Sequence, residues 1–468
     1  MSRNVCGPFL LGATAASLIF LRAPLLFEPL GFEPLDAPLL DEWLGCSADT
    51  VAIVRSSFMP LLARLHTGGR STALLRSSNV SSARNPRRRS HLSALARVQV
   101  QDGSLYCSGR DACAHPHVQA VLRVLSLLLR IARLQDVDFL FERYENVCHR
   151  TQRRKGSPPV AVLSFDADHE RRPMCENILV TPRALAELPD GARWLARADG
   201  YHANWRARRN LVLWRGAATG AAPLFNSSTN EPRTPRALAV ALSKRRPDLL
   251  DAQFAGRGSL SFLSNDREVA RRMGYGDGPT GHLTWEEQQQ RYRATLVLDG
   301  NTVADRLPFL LFTMTAIIKQ ESPLREAWYD LLRPYVHYIP VRHDLADLEG
   351  QIEWALANAS RLQQIARNAA QLAMRHLSRR GQLCHWLAVM RKLASHTEPR
   401  IEVDPHAERV QLGPSVWSGT VTHFPLIGTL RPQLAHIPFR PSDLRALLRL
   451  YPTPCVGGLT RAHECVDL

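Results

Sequence analysis

Lysine is nearly absent from this chain: it occurs only at Lys155, Lys244, Lys319 and Lys392, although Lys and Arg together number 59 in 468 residues. The formal net charge of +16 is therefore carried by arginine. So lopsided a ratio follows from codon composition as readily as from selection for an anionic ligand. No zinc-finger spacing, RNA-recognition signature or basic region with heptads accompanies the charge, so no nucleic-acid partner is expected. No CxxC pair occurs either, which speaks against structural zinc and thioredoxin-like chemistry. What remains is a chain with 45% apolar and 22% charged residues, long enough for two or three domains with cores of their own.

The N-terminus reads as targeting. Arg3 precedes an apolar stretch from Val5 to Leu21 that Arg22 interrupts. It is slightly short for a comfortable membrane span, so it suits either a cleaved signal peptide or a signal anchor that fixes the chain to a membrane. Outside that stretch lie eight cysteines, Cys46, Cys107, Cys113, Cys148, Cys175, Cys384, Cys455 and Cys465. An even number suits an oxidising compartment. Cys107 and Cys113 flank a polar turn and are expected to close a small loop. Asn79, Asn226 and Asn358 begin glycosylation acceptor triplets, a weak signal in the same direction.

Residues 66–98 are rich in Ser, Arg and Gly with no apolar period and read as a disordered linker. The chain then becomes regular. VQVQDGSLYC reads as two strands around a turn at Asp102-Gly103. A strongly apolar helix follows over residues 117–134. DVDFLF, VAVLSF, RNLVLWRG, RATLVLDG, TAIIK and HYIPV are short apolar runs of the kind found in parallel sheets. A helix is expected from Ala304, with others around 324–333, 344–358 and 360–377. Strand and helix in alternation predict an α/β fold.

Two junctions between strand and turn carry the candidate chemistry: WRGAATG at 214–220 and LDGNTVADR at 298–306. In α/β sheets ligands bind beyond the carboxyl ends of strands. A glycine there lets backbone N–H groups approach a phosphate, and a following helix N-terminus favours negative charge. Arg215 and Arg306 each offer a fork of donors suited to phosphate oxygens. The bland alternative is a glycine that ends a strand and an arginine on the surface, since neither loop is a Walker A or a complete GxGxxG.

Several ordered blocks resemble glycosyltransferase family 90, which contains protein O-glucosyltransferases and capsule-associated xylosyltransferases. They are DVDFLF, LSFDAD, NWRARRNLVLWRGAATG, PRALAVALSKRRPDLLDAQF and the long block from RYRATLVLDGNTVADR to HYIPVRHDLADLEGQIEWA. The likeness covers roughly residues 98–395. It implies a GT-B architecture, with two Rossmann-like domains facing across a cleft. Its organisation would be a signal peptide or anchor at 1–22, an N-terminal segment at 23–65, the linker at 66–98, an acceptor-side domain at 99–200, a donor domain at 201–395 and an extension of no assigned role at 396–468.

The resemblance also implies a metal-independent, inverting transfer of glucose or xylose from UDP-glucose or UDP-xylose to a hydroxyl of a protein or polysaccharide acceptor. The compartment would be the lumen of the endoplasmic reticulum or Golgi. No cofactor is implied, since the UDP-sugar is a substrate. Carried over by motif, Arg306 would hold the diphosphate, with Gly300, Val303 and Ala304 beside it. Arg215, Gly216, Thr219 and Gly220 would form the facing loop, with Arg236 a further donor contact and Phe254 near the uracil. The family's base is an Asp a few residues after the DVDF-type strand; here Glu145 stands in that place and Glu142 stands where an Asn is usual. The extra methylene moves the carboxylate by on the order of an ångström, and catalysis tolerates misplacement poorly. Two readings follow: a shifted acceptor geometry, or a catalytically impaired relative that binds glycan or protein. Asp136 and Asp138, His337 and Tyr338 are expected to be structural, and Asp344 and Asp347 to cap the following helix.

Overall fold

The computed structural model describes residues 46–67, 95–144, 161–168, 177–181, 205–220, 224–226, 228–229, 231–255, 291–397 and 401–410. The N-terminal apolar segment, residues 68–94 of the expected linker, Asn79 and Glu145 lie outside them. Regular structure starts slightly earlier than expected. Strand β1 runs Leu95–Gln101 and pairs antiparallel with β2, Ser104–Ser108, with Gln101 opposite Ser104. Between them Asp102 (φ 47°) and Gly103 (φ 71°) both sit in the left-handed region. That is the two-residue turn whose twist matches a hairpin, and Asp-Gly is suited to it. Cys107 and Cys113 form the expected disulfide, and a second links Cys46 to Cys384.

The hairpin belongs to a six-stranded sheet of order β13-β2-β1-β3-β4-β6. Its other members are β3 (Val137–Glu142), β4 (Val162–Ser164), β6 (Asn177–Leu179) and β13 (Glu408–Arg409). Asp138 is structural, as expected: Arg97 grips its two oxygens at 3.1 and 2.7 Å, and Gln99 donates to it at 2.9 Å. A helix over Pro116–Ile131 covers the sheet, with Pro at its first turn and His115 Nδ1 accepting from His117 N–H. Proline there removes only an N–H that has no helical partner. Val118, Val121, Leu125 and Leu128 of this helix pack on Val98, Val100, Phe139 and Phe141. The helix Arg379–Ala394, inside the stretch assigned by sequence to the donor domain, joins this first core instead. It contributes Trp386, Leu387, Met390 and Leu393, and Trp386 Nε1–H donates to Thr181 Oγ1 at 2.8 Å.

The second sheet has the order β12-β10-β9-β7-β8 and is parallel throughout. It comprises β7 (Arg209–Gly216), β8 (Leu250–Phe254), β9 (Tyr292–Val297), β10 (Ala316–Gln320) and β12 (Ile339–Val341). Parallel strands are buried on both faces, which explains their unbroken apolar runs. On one face Val212, Trp214, Leu296 and Ile318 meet the helices Pro235–Arg245 and Leu348–Ala357. On the other, Val297 and Ile317 meet Leu307, Leu310 and the helix Ala359–His376. The order corresponds to 2-1-3-4-5, so the chain reverses direction between β7 and β9. That is the place where doubly wound sheets open a ligand crevice.

A third, two-stranded ladder joins the sheets. β5 (Asp166–Asp168), which follows β4, pairs antiparallel with β11 (Leu324–Glu326), which follows β10. A helix had been expected over 324–333; pairing with β5 takes the first part into a strand, and only a short 3-10 turn, Ala327–Leu331, remains. Tertiary pairing overrides a weak local preference here. Ile53 of the helix Ala48–Thr67, with Ala167, Leu179 and Ala327, forms a small apolar cluster at the same seam. Among the described residues no helix is long and apolar enough to cross a membrane.

Two buried histidines make the fold acid-sensitive. Burial holds His385 and His376 down to about 4, against about 6.5 in an unfolded chain. A folded-state value below the unfolded one means protonation favours unfolding. The contribution is fully present above about pH 6.5 and is lost progressively as the pH falls towards 4. Thermal melting should therefore show a falling midpoint between pH 6.5 and 4, and His385→Gln should flatten that slope.

Candidate active site

The two strand-end loops meet at the β7/β9 reversal, and they meet on Trp214. Its ring is fully buried, with Phe254 set edge-on at 5.9 Å. The Arg236 and Arg306 guanidinia stand over the ring at 6.0 and 5.6 Å. Two glycines permit this approach. A side chain at Gly216 would meet the Trp214 ring at 2.8 Å, and one at Gly300 would meet Arg236 Nη2 and Thr219 Oγ1 at 2.7 Å.

Arg236 joins the loops. Its Nη1 donates to the Ala217 carbonyl at 2.8 Å and to Thr219 Oγ1 at 2.6 Å, while Nε donates to the Asp299 carbonyl at 3.0 Å. Nη2 reaches the Leu298 carbonyl at 3.3 Å. With its donors turned to the protein, Arg236 sets the spacing of the crevice and adds its charge to it.

Arg306 is different. It stands at the N-terminus of the helix Leu307–Leu311, three residues beyond the expected start at Ala304. One Nη1–H is donated to the Arg215 carbonyl, but Nη2 is buried without a hydrogen-bond partner. Burial, and then the neighbouring Arg236 charge, push the Arg306 guanidinium down to about 9; burial pushes Arg236 down to about 10. Both stay protonated at neutral pH. Two desolvated cations with an open donor are an arrangement that an anion would complete.

Asp299 is the hub of the second loop, and the sequence reading did not single it out. Its Oδ1 accepts from Ala304 N–H at 3.1 Å, Oδ2 accepts from Ser322 Oγ, and its own N–H donates to Gln320 Oε1 at 3.2 Å. Burial raises its carboxyl, opposed by the Ser322 hydroxyl and Lys319. Val303 and Ala304 are buried beneath the loop, with Val303 in the apolar core. Thr302 donates to Asp166 Oδ2, a second contact without a sequence signal.

Arg215 takes its place by its carbonyl. Its Nη2 pairs with Asp251 Oδ1 at 2.8 Å and Nη1 donates to the Trp214 and Asp251 carbonyls. Asp251 is also held by Tyr292 Oη at 2.5 Å. Thr219 lies in the crevice through Arg236, and Gly220 ends the described part of that loop. Phe254 is buried against Trp214.

On the first sheet, Glu142 closes β3, buried, with Oε1 accepting from Tyr144 N–H at 2.8 Å. His337 Nδ1 accepts from Arg333 N–H at 3.0 Å, and Tyr338 is buried in the second unit's core, so this pair is structural. Asp347 does not cap the helix Leu348–Ala357 with its side chain as expected; its Oδ1 takes Arg342 N–H at 2.8 Å. Asp344 Oδ1 takes Ala346 N–H at 3.1 Å.

The fold is that of a doubly wound α/β protein, and the two buried arginines stand at its strand reversal, where such sheets bind their ligands. The profile of Glycosyl transferase family 90 matches residues 74–417, and the chain belongs to that family. It is 32% identical over 183 residues to "Protein O-glucosyltransferase 3" of Rattus norvegicus, covering 38% of this chain and 33% of that protein. The protein of the same name from Homo sapiens is 30% identical over 182 residues, with the same coverage. "Uncharacterized protein 027R" of Frog virus 3 is 30% identical over 253 residues, 50% of this chain and 24% of that one. The chain thus spans about a third of the length of the O-glucosyltransferases it matches.

Proposed function

We propose that the protein transfers glucose or xylose from a UDP-sugar to a hydroxyl of a protein or glycan, with inversion. The observation that carries this reading is the Arg306–Arg236 pair stacked on Trp214 at the β7/β9 reversal, with Arg306 Nη2 open. The two units would face each other as in GT-B enzymes, with the donor held by the second. The acceptor oxygen attacks the anomeric carbon from the side opposite the diphosphate. As that bond forms, the bond from carbon to diphosphate oxygen breaks, and the charge released falls on the Arg306 side of the crevice. A carboxylate, Glu145, takes the acceptor proton. The arginine charges would do what a metal does in other transferases, so metal-independence is part of the proposal. Family membership and the relatives' names support a glucosyltransferase, and the two disulfides, Cys46–Cys384 and Cys107–Cys113, support the secretory pathway lumen as its compartment.

The Glu at the position of the family's Asp favours a second reading, a relative that binds glycan or protein without catalysis. A panel of UDP-sugars offered to the purified protein, with and without EDTA, separates the two. Release of UDP from UDP-glucose or UDP-xylose, unchanged by EDTA, is expected. No release from any sugar, with UDP still bound, would establish the second reading.

A further inference from the structure

The loop 298–306 is anchored on two sides, and both anchors lead to the seam between the sheets. On one side Asp299 accepts from Ser322 Oγ, whose oxygen also accepts from Leu324 N–H at 3.2 Å at the start of β11. On the other side Thr302 reaches across to Asp166, the first residue of β5. Asp166 is buried, and across the ladder it stands directly opposite Glu326, also buried. Opposed residues of an antiparallel pair place their side chains on one face, about 5 Å apart at Cβ. Trp328 Nε1–H donates to Glu326 Oε2 at 2.9 Å. Burial first, then Asp305 and Asp166, raise the Glu326 carboxyl well above its usual range. Of the two facing carboxyls, Asp166 is the one that accepts from Thr302. Asp305, Asp299, Lys319, Glu321 and Arg325 are the other charges near this point among the described residues.

We infer that Asp166 is a positioning residue for the donor: from the strand that continues the first sheet, it holds the loop of the second sheet, through Thr302, in the form that receives a nucleoside diphosphate. Asp166 itself is too deeply buried to be placed against the sugar. This rests on the reading of the crevice given above. It makes donor affinity depend on how the two units are seated against each other, because the contact crosses the seam where β5, β11 and the Ile53 cluster meet.

Calorimetric titration of the full-length protein with UDP tests it, using T302V, T302S, D166A, D166N and the double variant D166A/T302V, with R306A as control. T302V and D166A should each weaken UDP binding about tenfold, the loss of one partly buried hydrogen bond. T302S keeps the donor and D166N keeps an acceptor, so both should stay near wild type. The double variant should be no weaker than the weaker single variant, because the same bond is lost. Thr302 is partly exposed, so T302V decides the matter should D166A fail to fold. Wild-type affinity in T302V while R306A is weakened overturns the inference and leaves the crevice reading standing. T302S as weak as T302V also overturns it, since packing rather than the hydroxyl would then be responsible. Wild-type affinity in R306A overturns the crevice reading, and the inference with it.

Discussion

Glu145→Gln is expected to slow sugar transfer by about 10²- to 10⁴-fold, the usual contribution of a positioned base, while UDP affinity stays at the wild-type level. On the proposed reading the two effects separate because UDP is held by the loops at 214–220 and 298–306, whereas residue 145 acts on the acceptor. Glu145→Asp is the sharper variant. It restores the family's residue at that position and shortens the side chain by one methylene, so it should retain more activity than Gln. If the acceptor pocket has not adapted to the longer chain, it should exceed wild type. Transfer at the wild-type rate by Glu145→Gln would remove Glu145 from the mechanism. Glu142, at the end of β3 with Tyr144 N–H on its carboxylate, would then be the next residue to replace.

The parts of the fold that were legible are those fixed by local chemistry. Asp102-Gly103 announced its hairpin because few other pairs tolerate two left-handed residues in succession. The runs LVLW, ATLV and AIIK announced parallel strands because both of their faces are buried. Contacts between residues far apart in sequence left no mark. The helix Arg379–Ala394 is not among the helices expected from sequence, and nothing in its residues says that Trp386 and Met390 turn back to the first sheet. β11 was read as helix because its partner, β5, lies more than 150 residues earlier. Thr302 and Asp166, 136 residues apart, were invisible for the same reason.

The two loops singled out in the sequence come together at the β7/β9 reversal, and strand geometry explains how Arg215 is turned within them. Trp214, Arg215 and Gly216 alternate across β7. Trp214 and Gly216 face the helix-covered side where Arg236 and Arg306 converge. Arg215 must therefore point the other way, to Asp251 and Tyr292. Its guanidinium belongs to the opposite face of the sheet, and only its carbonyl serves the crevice. Arg306 lies beyond the strands, at the start of the helix Leu307–Leu311, where alternation no longer applies. Asp299 stood in plain sight before Gly300, yet its role as hub requires Ser322 and Gln320 from the end of β10.

Whether the β7/β9 crevice receives the diphosphate of a UDP-sugar turns on Arg306. Removing its guanidinium takes away an open buried donor and half of the paired positive charge on Trp214, and leaves the Arg236 bonds that join the loops in place. The loss should fall on binding rather than on folding. A charge-assisted contact to phosphate is worth about 1.5–3 kcal/mol, or about 10- to 150-fold in affinity. Arg306→Lys keeps a charge but loses the fork, so it should fall between wild type and Ala. The most direct measurement is a calorimetric titration of UDP into wild type and Arg306→Ala, each first shown by thermal melting to be folded. Wild type should bind UDP, and the variant should bind it about 10- to 150-fold more weakly. An unchanged constant in a folded Arg306→Ala would contradict it.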